Sequence, residues 1–281
     1  MKHILILITL GSVLFAKTPP FSFVALEDES WHVIVCEDTS HCKTLKTNQE
    51  PRTYDYDFNS GNLIYVGSDK NVHLIINHKE SILLKSDKNA YTEPSFIEEG
   101  KKIMIVELIN GNSKKTKIIT IDTKHQKMKT LHSQYSTSLE AYTNNKKDLY
   151  YANVSCVEGC NKIIQEIWHK DLVSKESNQL TLLNVLSHQP RSNKDNTVVY
   201  FSSIKKGHYH IWRYNIKTHT SEALTSGDVT DGFPSPSKDG VYFLRRVGNH
   251  TSLMYYSKNG DIKDVPLKQN YTKIRNLKVK L

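Results

Sequence analysis

The chain lacks the signatures by which several enzyme classes are recognised. It contains no Gly-x-Ser-x-Gly nucleophile elbow, which excludes the common serine-hydrolase arrangement. It contains no Gly-rich phosphate loop, so nucleotide binding of the P-loop kind is excluded as well. None of its 13 histidines forms a His-x-x-x-His helical pair. Beyond the first 16 residues no stretch keeps a helical period. Cysteine is scarce, at four residues, and the CxxC spacing of structural zinc sites is absent. The 38 Lys and Arg against 29 Asp and Glu leave a net charge of +9, but these residues are scattered and form no basic tail. Stacking aromatics are not interleaved with them, so the excess reads as a solvated Lys-rich surface and no nucleic-acid partner is expected.

What is present begins at the N-terminus. Lys2 and His3 precede an apolar run, Ile4 to Ala16, which Lys17-Thr18-Pro19-Pro20 ends. The run is too short to span a bilayer comfortably and has the layout of a secretory signal, with cleavage expected after Ala16. We therefore expect a signal peptide over 1–16, a mature domain over 17–281, and a periplasmic or secreted location. An uncleaved anchor is the alternative, and membrane association is expected only in that case. No Cys follows the run directly, which argues against a lipid anchor. The cysteines fall in two close pairs, Cys36/Cys42 and Cys156/Cys160, and an even count in an exported chain reads as disulfides.

The remaining sequence repeats. Its clearest unit is Asp231-Gly-Phe-Pro-Ser-Pro-Ser-Lys-Asp-Gly240 followed by Val241-Tyr-Phe-Leu. Asp-Gly between two strand-like runs signals a hairpin, with Gly240 expected to take the positive φ of its turn. Similar turns end at Gly61, Gly100, Lys146 and Asn196, so the spacings are 39, 46, 50 and 44 residues. That period is close to one four-stranded propeller blade. Each unit supplies two further strand-like runs, such as His210–Ile216 and Ser221–Thr225. The N-terminal runs Phe21–Leu26, Trp31–Cys36 and Lys43–Leu45 look like a unit without its first strand. A leftover run, Ile274–Leu281, is expected to supply that strand and close the ring, giving an all-β, six-bladed propeller. Trp212, Trp168, Ile119 and Met254 occupy matching places in third strands and are expected to pack between blades.

The unit Leu224-Thr225 … Asp231-Gly-Phe-Pro234-Ser-Pro-Ser-Lys-Asp239-Gly240 resembles the TolB-type repeat. There a Leu-Thr ends one blade and a Pro-x-x-Ser-Pro-Asp-Gly turn begins the next. The likeness is fair around Pro190 and Pro94 and poor around Glu140 and Asp55. It implies a free-standing TolB-like propeller without the N-terminal domain of TolB.

Asp55, Glu93, Glu140 and Asp231 precede or begin innermost strands, which line the central channel of a propeller. They are expected to gather near one mouth, where hard oxygen ligands could hold a calcium ion. A calcium would also fit the TolB resemblance; the alternative is that Asp231 caps its own turn and the others are solvated, and no other cofactor is expected. His188 lies two residues before Pro190 and could touch a ligand there, although a solvated loop histidine is the simpler reading. His208-Tyr-His210 reads as exposed polar residues. Two functions follow. The first is a monomeric, non-enzymatic module in the cell envelope that binds a protein or peptide. The alternative is a metal-dependent lyase or hydrolase that acts on an acidic glycan at the channel mouth. The alternative needs histidines such as His188, His208, His219 and His250 to converge.

Overall fold

Alternation of apolar residues over short runs, punctuated by polar turns, produces strands throughout a computed structural model that describes residues 18–281 apart from 157, 158 and 160. The expected signal segment, 1–16, lies outside the described residues. The first group of strands is β1 (Phe21–Glu27), β2 (Ser30–Cys36) and β3 (Cys42–Leu45). The second is β4 (Thr53–Tyr56), β5 (Leu63–Val66), β6 (Val72–Ile76) and β7 (Lys79–Leu84). The third is β8 (Ala90–Ile97), β9 (Lys102–Leu108), β10 (Thr116–Asp122) and β11 (Met128–Ser133). The fourth is β12 (Ser138–Tyr142), β13 (Asp148–Cys156), β14 (Ile164–Asp171) and β15 (Ser177–Gln179). The fifth is β16 (Ser187–Ser192), β17 (Val198–Lys205), β18 (His208–Asn215) and β19 (Thr220–Ala223). The sixth is β20 (Thr230–Ser237), β21 (Gly240–Val247), β22 (His250–Ser257) and β23 (Ile262–Asp264), and β24 (Ile274–Val279) ends the chain.

These strands form six antiparallel four-stranded sheets, the blades of a β-propeller. Five blades are continuous in sequence; the remaining one has the order β24-β1-β2-β3. The last strand therefore lies beside the first, with Phe21 opposite Val279 and Ala25 opposite Ile274. Ile274, Leu277 and Val279 enter the same apolar cluster as Phe21, Phe23, Tyr242 and Leu244, so the closing strand joins the first blade to the sixth. Closure leaves no innermost edge open to pairing. Two outer strands, β15 and β23, are only three residues long, which blunts those outer edges.

Second strands are buried on both faces, and this explains their nearly continuous apolar runs. In β9, Ile103 and Ile105 pack against Ile64 and Val66 of the preceding blade, while Met104 and Val106 pack against Leu149 and Tyr151 of the following one. Ile119, Trp168, Trp212 and Met254 all join such clusters between neighbouring blades. Cys36 and Cys42 form a disulfide across the β2–β3 turn. Cys156 is disulfide-bonded as well; its expected partner, Cys160, lies outside the described residues.

One turn differs from its expected chemistry. Gly240 is buried and is not among the glycines with positive φ. A Cβ at this position would collide with the Tyr256 carbonyl and crowd the Tyr255 ring. Glycine is needed there for close approach of β22, not for handedness.

Candidate functional site

Five of the six innermost strands carry the same irregularity. Glu93, Glu140, Gln189, Phe233 and Asn276 all have φ between 54° and 57°. Pairing slips at or next to each, as expected for a β-bulge. The residue after each bulge is buried: Pro94, Ala141, Pro190, Pro234 and Leu277. Proline suits this place because the bulge has already removed a ladder hydrogen bond. Positive φ is costly for residues with a Cβ, about 1 kcal/mol or more each, so packing must hold it.

The bulge aims side chains at the channel. Two residues beyond each one stand Ser95, Tyr142, Arg191, Ser235 and Lys278. Asp55 holds the matching register in the unbulged β4, opposite Ile64 as Ser95 is opposite Met104. All six line a cavity of about 640 Å³ on the propeller axis, together with turns that join first to second strands, such as 57–59, 98–100 and 143–145.

The bulge residues themselves link blade to blade. The Glu93 N–H donates to Thr53 Oγ1 at 3.1 Å. The Glu140 N–H donates to Glu93 Oε2 in a short contact. The Gln189 N–H donates to Glu140 Oε2 at 2.8 Å, and the Phe233 N–H to Gln189 Oε1 at 2.7 Å. Beyond the phenylalanine the sequence of bonds stops, and Asn276 Nδ2 instead donates to the Arg52 carbonyl at 3.0 Å. Through these bonds the Glu93 and Glu140 side chains tie three blades together around the axis.

Electrostatics separates these groups. Burial and the facing Glu140 carboxylate push the Glu93 pKa up to about 8. Lys278 Nζ lies 3.5 Å from Asp55 Oδ1, and burial lowers the lysine pKa while Asp55 opposes the fall. Asp55 Oδ2 also accepts the Phe96 N–H at 2.8 Å. Arg191 sits 5.0 Å from the centre of the Tyr142 ring. His188 belongs to β16 and is not a solvated loop residue. Its Nδ1 lies 3.1 Å from Glu140 Oε2, its Nε2 lies 3.2 Å from Tyr209 Oη, and its side chain is 27% exposed. Burial lowers the His188 pKa, but the hydrogen bond and charge of Glu140 outweigh it, so the balance lies above the ordinary histidine value.

Asp55, Glu93 and Glu140 thus converge on the channel, and His188 touches Glu140. Asp231 does not join them. It is fully buried, and both its oxygens are held by Arg245, through Nε at 2.7 Å and Nη2 at 2.9 Å. His210, expected to be exposed, is buried with Nδ1 3.8 Å from the same carboxylate. The bulge explains the separation: it breaks the period of two, so residues on either side of it no longer share a face. The sequence reading missed Lys278, Arg191 and Gln189. Their common signal is position, two residues past a bulge or on it, which shows only once the blades are aligned.

Calcium does not fit this set. Asp55 is engaged by Lys278, Glu140 by His188 and the Gln189 N–H, and Glu93 is driven toward its neutral form. Ca²⁺ takes about six to eight oxygen ligands, and here three cationic residues, Arg191, Lys278 and Lys280, line the cavity. Among the described residues no group of three or more His, Cys, Asp or Glu is placed to hold a metal ion.

No family model and no curated protein matches the chain. Solved structures do. TolB from Acinetobacter baumannii matches with a TM-score of 0.74 at 16% identity, over 92% of this chain and 66% of that one. The fold is TolB-like. This TolB-like propeller thus spans just under two thirds of the A. baumannii protein. A structure of a nidogen–laminin complex matches with a TM-score of 0.69 at 10% identity, over 93% of this chain and 98% of that chain. An oligogalacturonate lyase in complex with manganese matches with a TM-score of 0.59 at 10% identity, over 89% of this chain and 74% of that one. At such identities the likeness establishes the fold, and the TolB-like propeller's chemistry rests on its own residues.

Proposed function

We propose that the chain is an exported, non-enzymatic binding propeller that receives a peptide segment of a protein partner in its channel cavity. The observation that carries this reading is the cavity, lined by one register position from every blade and bearing both signs of charge. Its volume suits a short extended segment, not a folded domain. Lys278 and Arg191 offer partners for carboxylates, and the Glu98, Glu99 and Asp57 side chains at the turns offer partners for cations. The nidogen–laminin structure supports the reading, because there a chain of the same fold takes part in a complex of two proteins. Export is supported by the Cys36–Cys42 disulfide, which persists in an oxidising compartment. The competing metal-dependent lyase or hydrolase shares its fold with the manganese-bound oligogalacturonate lyase, but among the described residues the histidines it needs do not gather with carboxylates into a metal-binding group.

The test is capture from envelope extract on the immobilised protein, with folding of each variant verified by thermal melting. Wild type is expected to retain a specific protein. Arg191→Gln in the channel wall and Glu99→Lys at the turns are expected to lose it. Failure to retain any protein, or equal retention by both variants, would overturn the proposal.

A further inference from the structure

A second cavity, of about 490 Å³, lies at the other end of the innermost strands. It is lined by the start of β20 and β24, by the β21–β22 turn and by Trp31 of β2. Its charged lining residues among those described are Arg246, Lys273 and Arg275, and no described Asp or Glu lines it. Among the described residues only Phe233 lines both cavities.

Three features set this pocket apart from a merely solvated basic surface. First, Arg246 and Lys273 are exposed, and among the described residues none of the three cations forms an ion pair. Second, Arg275 is held in place without being neutralised. Its guanidinium lies 3.9 Å from the centre of the Trp31 ring, and its Nη2 donates to the Pro51 carbonyl at 3.2 Å. Third, its Nε is buried and has no hydrogen-bond partner. Burial lowers the Arg275 pKa; the Glu50 charge opposes that fall and the Arg52 charge adds to it. A planar guanidinium held against a ring, beside two exposed cations, is an arrangement suited to multivalent oxyanions. Thr230, Asn249 and Thr251 add hydroxyl and amide groups to the lining.

We propose that this pocket is a binding site for a phosphomonoester carried on a small hydroxyl-rich molecule such as a sugar. A dianion matches three uncompensated cations better than a single carboxylate does, and the polar lining suits hydroxyl groups. The site is independent of the channel cavity and of any partner bound there.

Isothermal titration with glucose 6-phosphate, glucose and inorganic phosphate tests the assignment on the full chain. Glucose 6-phosphate is expected to bind, glucose is not, and rising salt weakens binding. Arg246→Ala and Lys273→Ala lie at exposed positions and are each expected to weaken binding about tenfold, the loss of one charge-assisted contact. Arg275→Ala can fail to fold, so the two exposed variants carry the test. Arg191→Gln, in the channel, is expected to leave binding unchanged. Inorganic phosphate binding as tightly as the sugar phosphate would assign the site to the free ion and remove the sugar from the proposal. No binding of either phosphate, or binding that survives both exposed substitutions, would overturn it.

Discussion

Replacing Glu93 by Gln is expected to flatten the alkaline side of the stability curve. Glu93 accepts the Glu140 N–H and faces the Glu140 carboxylate on the wall of the channel cavity. Its pKa rises from the ordinary 4.5 to about 8. A carboxyl raised in the folded state holds its proton more tightly there than in the unfolded chain. Its contribution to stability is therefore full below the unfolded value and drains away as pH climbs to about 8. At about 1.4 kcal/mol per unit the ceiling is about 4–5 kcal/mol. The side chain is only partly buried and keeps some contact with cavity water, which screens the repulsion, so about 2 kcal/mol is the expected loss. Glutamine keeps an acceptor for the Glu140 N–H but cannot ionise. Urea unfolding at about pH 5 and about pH 9 should then show the variant gaining about 2 kcal/mol on wild type at the higher pH and little at the lower. Curves that run parallel across this range would refute the claim that the two carboxyl groups repel one another on the axis.

Three other perturbations probe the frame. Gly240→Ala puts a methyl group against the Tyr256 carbonyl, which is fixed backbone, so a loss of about 1–3 kcal/mol is expected by denaturant titration; an unchanged midpoint would contradict the close approach. Cys36→Ser with Cys42→Ser removes a cross-link over a separation of 6 residues and is expected to cost about 2 kcal/mol, read as a fall in melting temperature; an unchanged melting temperature would contradict the bridge. Deleting 274–281 strips β24 from β1, uncovers the cluster around Phe21 and Phe23, and leaves β1 as an open edge. Size-exclusion chromatography should show self-association of the truncated chain, and a monomer with the wild-type melting temperature would contradict ring closure.

Much of the fold was legible because a propeller blade is a local object. Turn residues and apolar runs recur at the blade period, and the unpaired run 274–281 could be assigned by counting strands. Inter-blade residues such as Trp212 followed from matching third strands. Tyrosine was less legible: Tyr54, Tyr65, Tyr150 and Tyr151 are among the largest fully buried side chains. Tyr54 meets this by donating to Ser22 on a neighbouring blade, a partner 32 positions away that no local pattern specifies.

The site was half legible for a related reason. Convergence of Asp55, Glu93 and Glu140 on the axis follows from their place at the innermost strands. Their bonding does not, because positive φ at Glu, Gln, Phe and Asn leaves no mark in residue type where glycine would have left one. Once those bulges are known, the distribution of charge becomes coherent. The carboxylates on the bulges are committed to the backbone of the next blade. The side chains two residues further on, including Arg191 and Lys278, are the ones presented to the cavity. The same step turns Asp231 away toward Arg245. In this propeller the bulge thus divides each innermost strand into a part that binds the blades together and a part that faces whatever enters the channel.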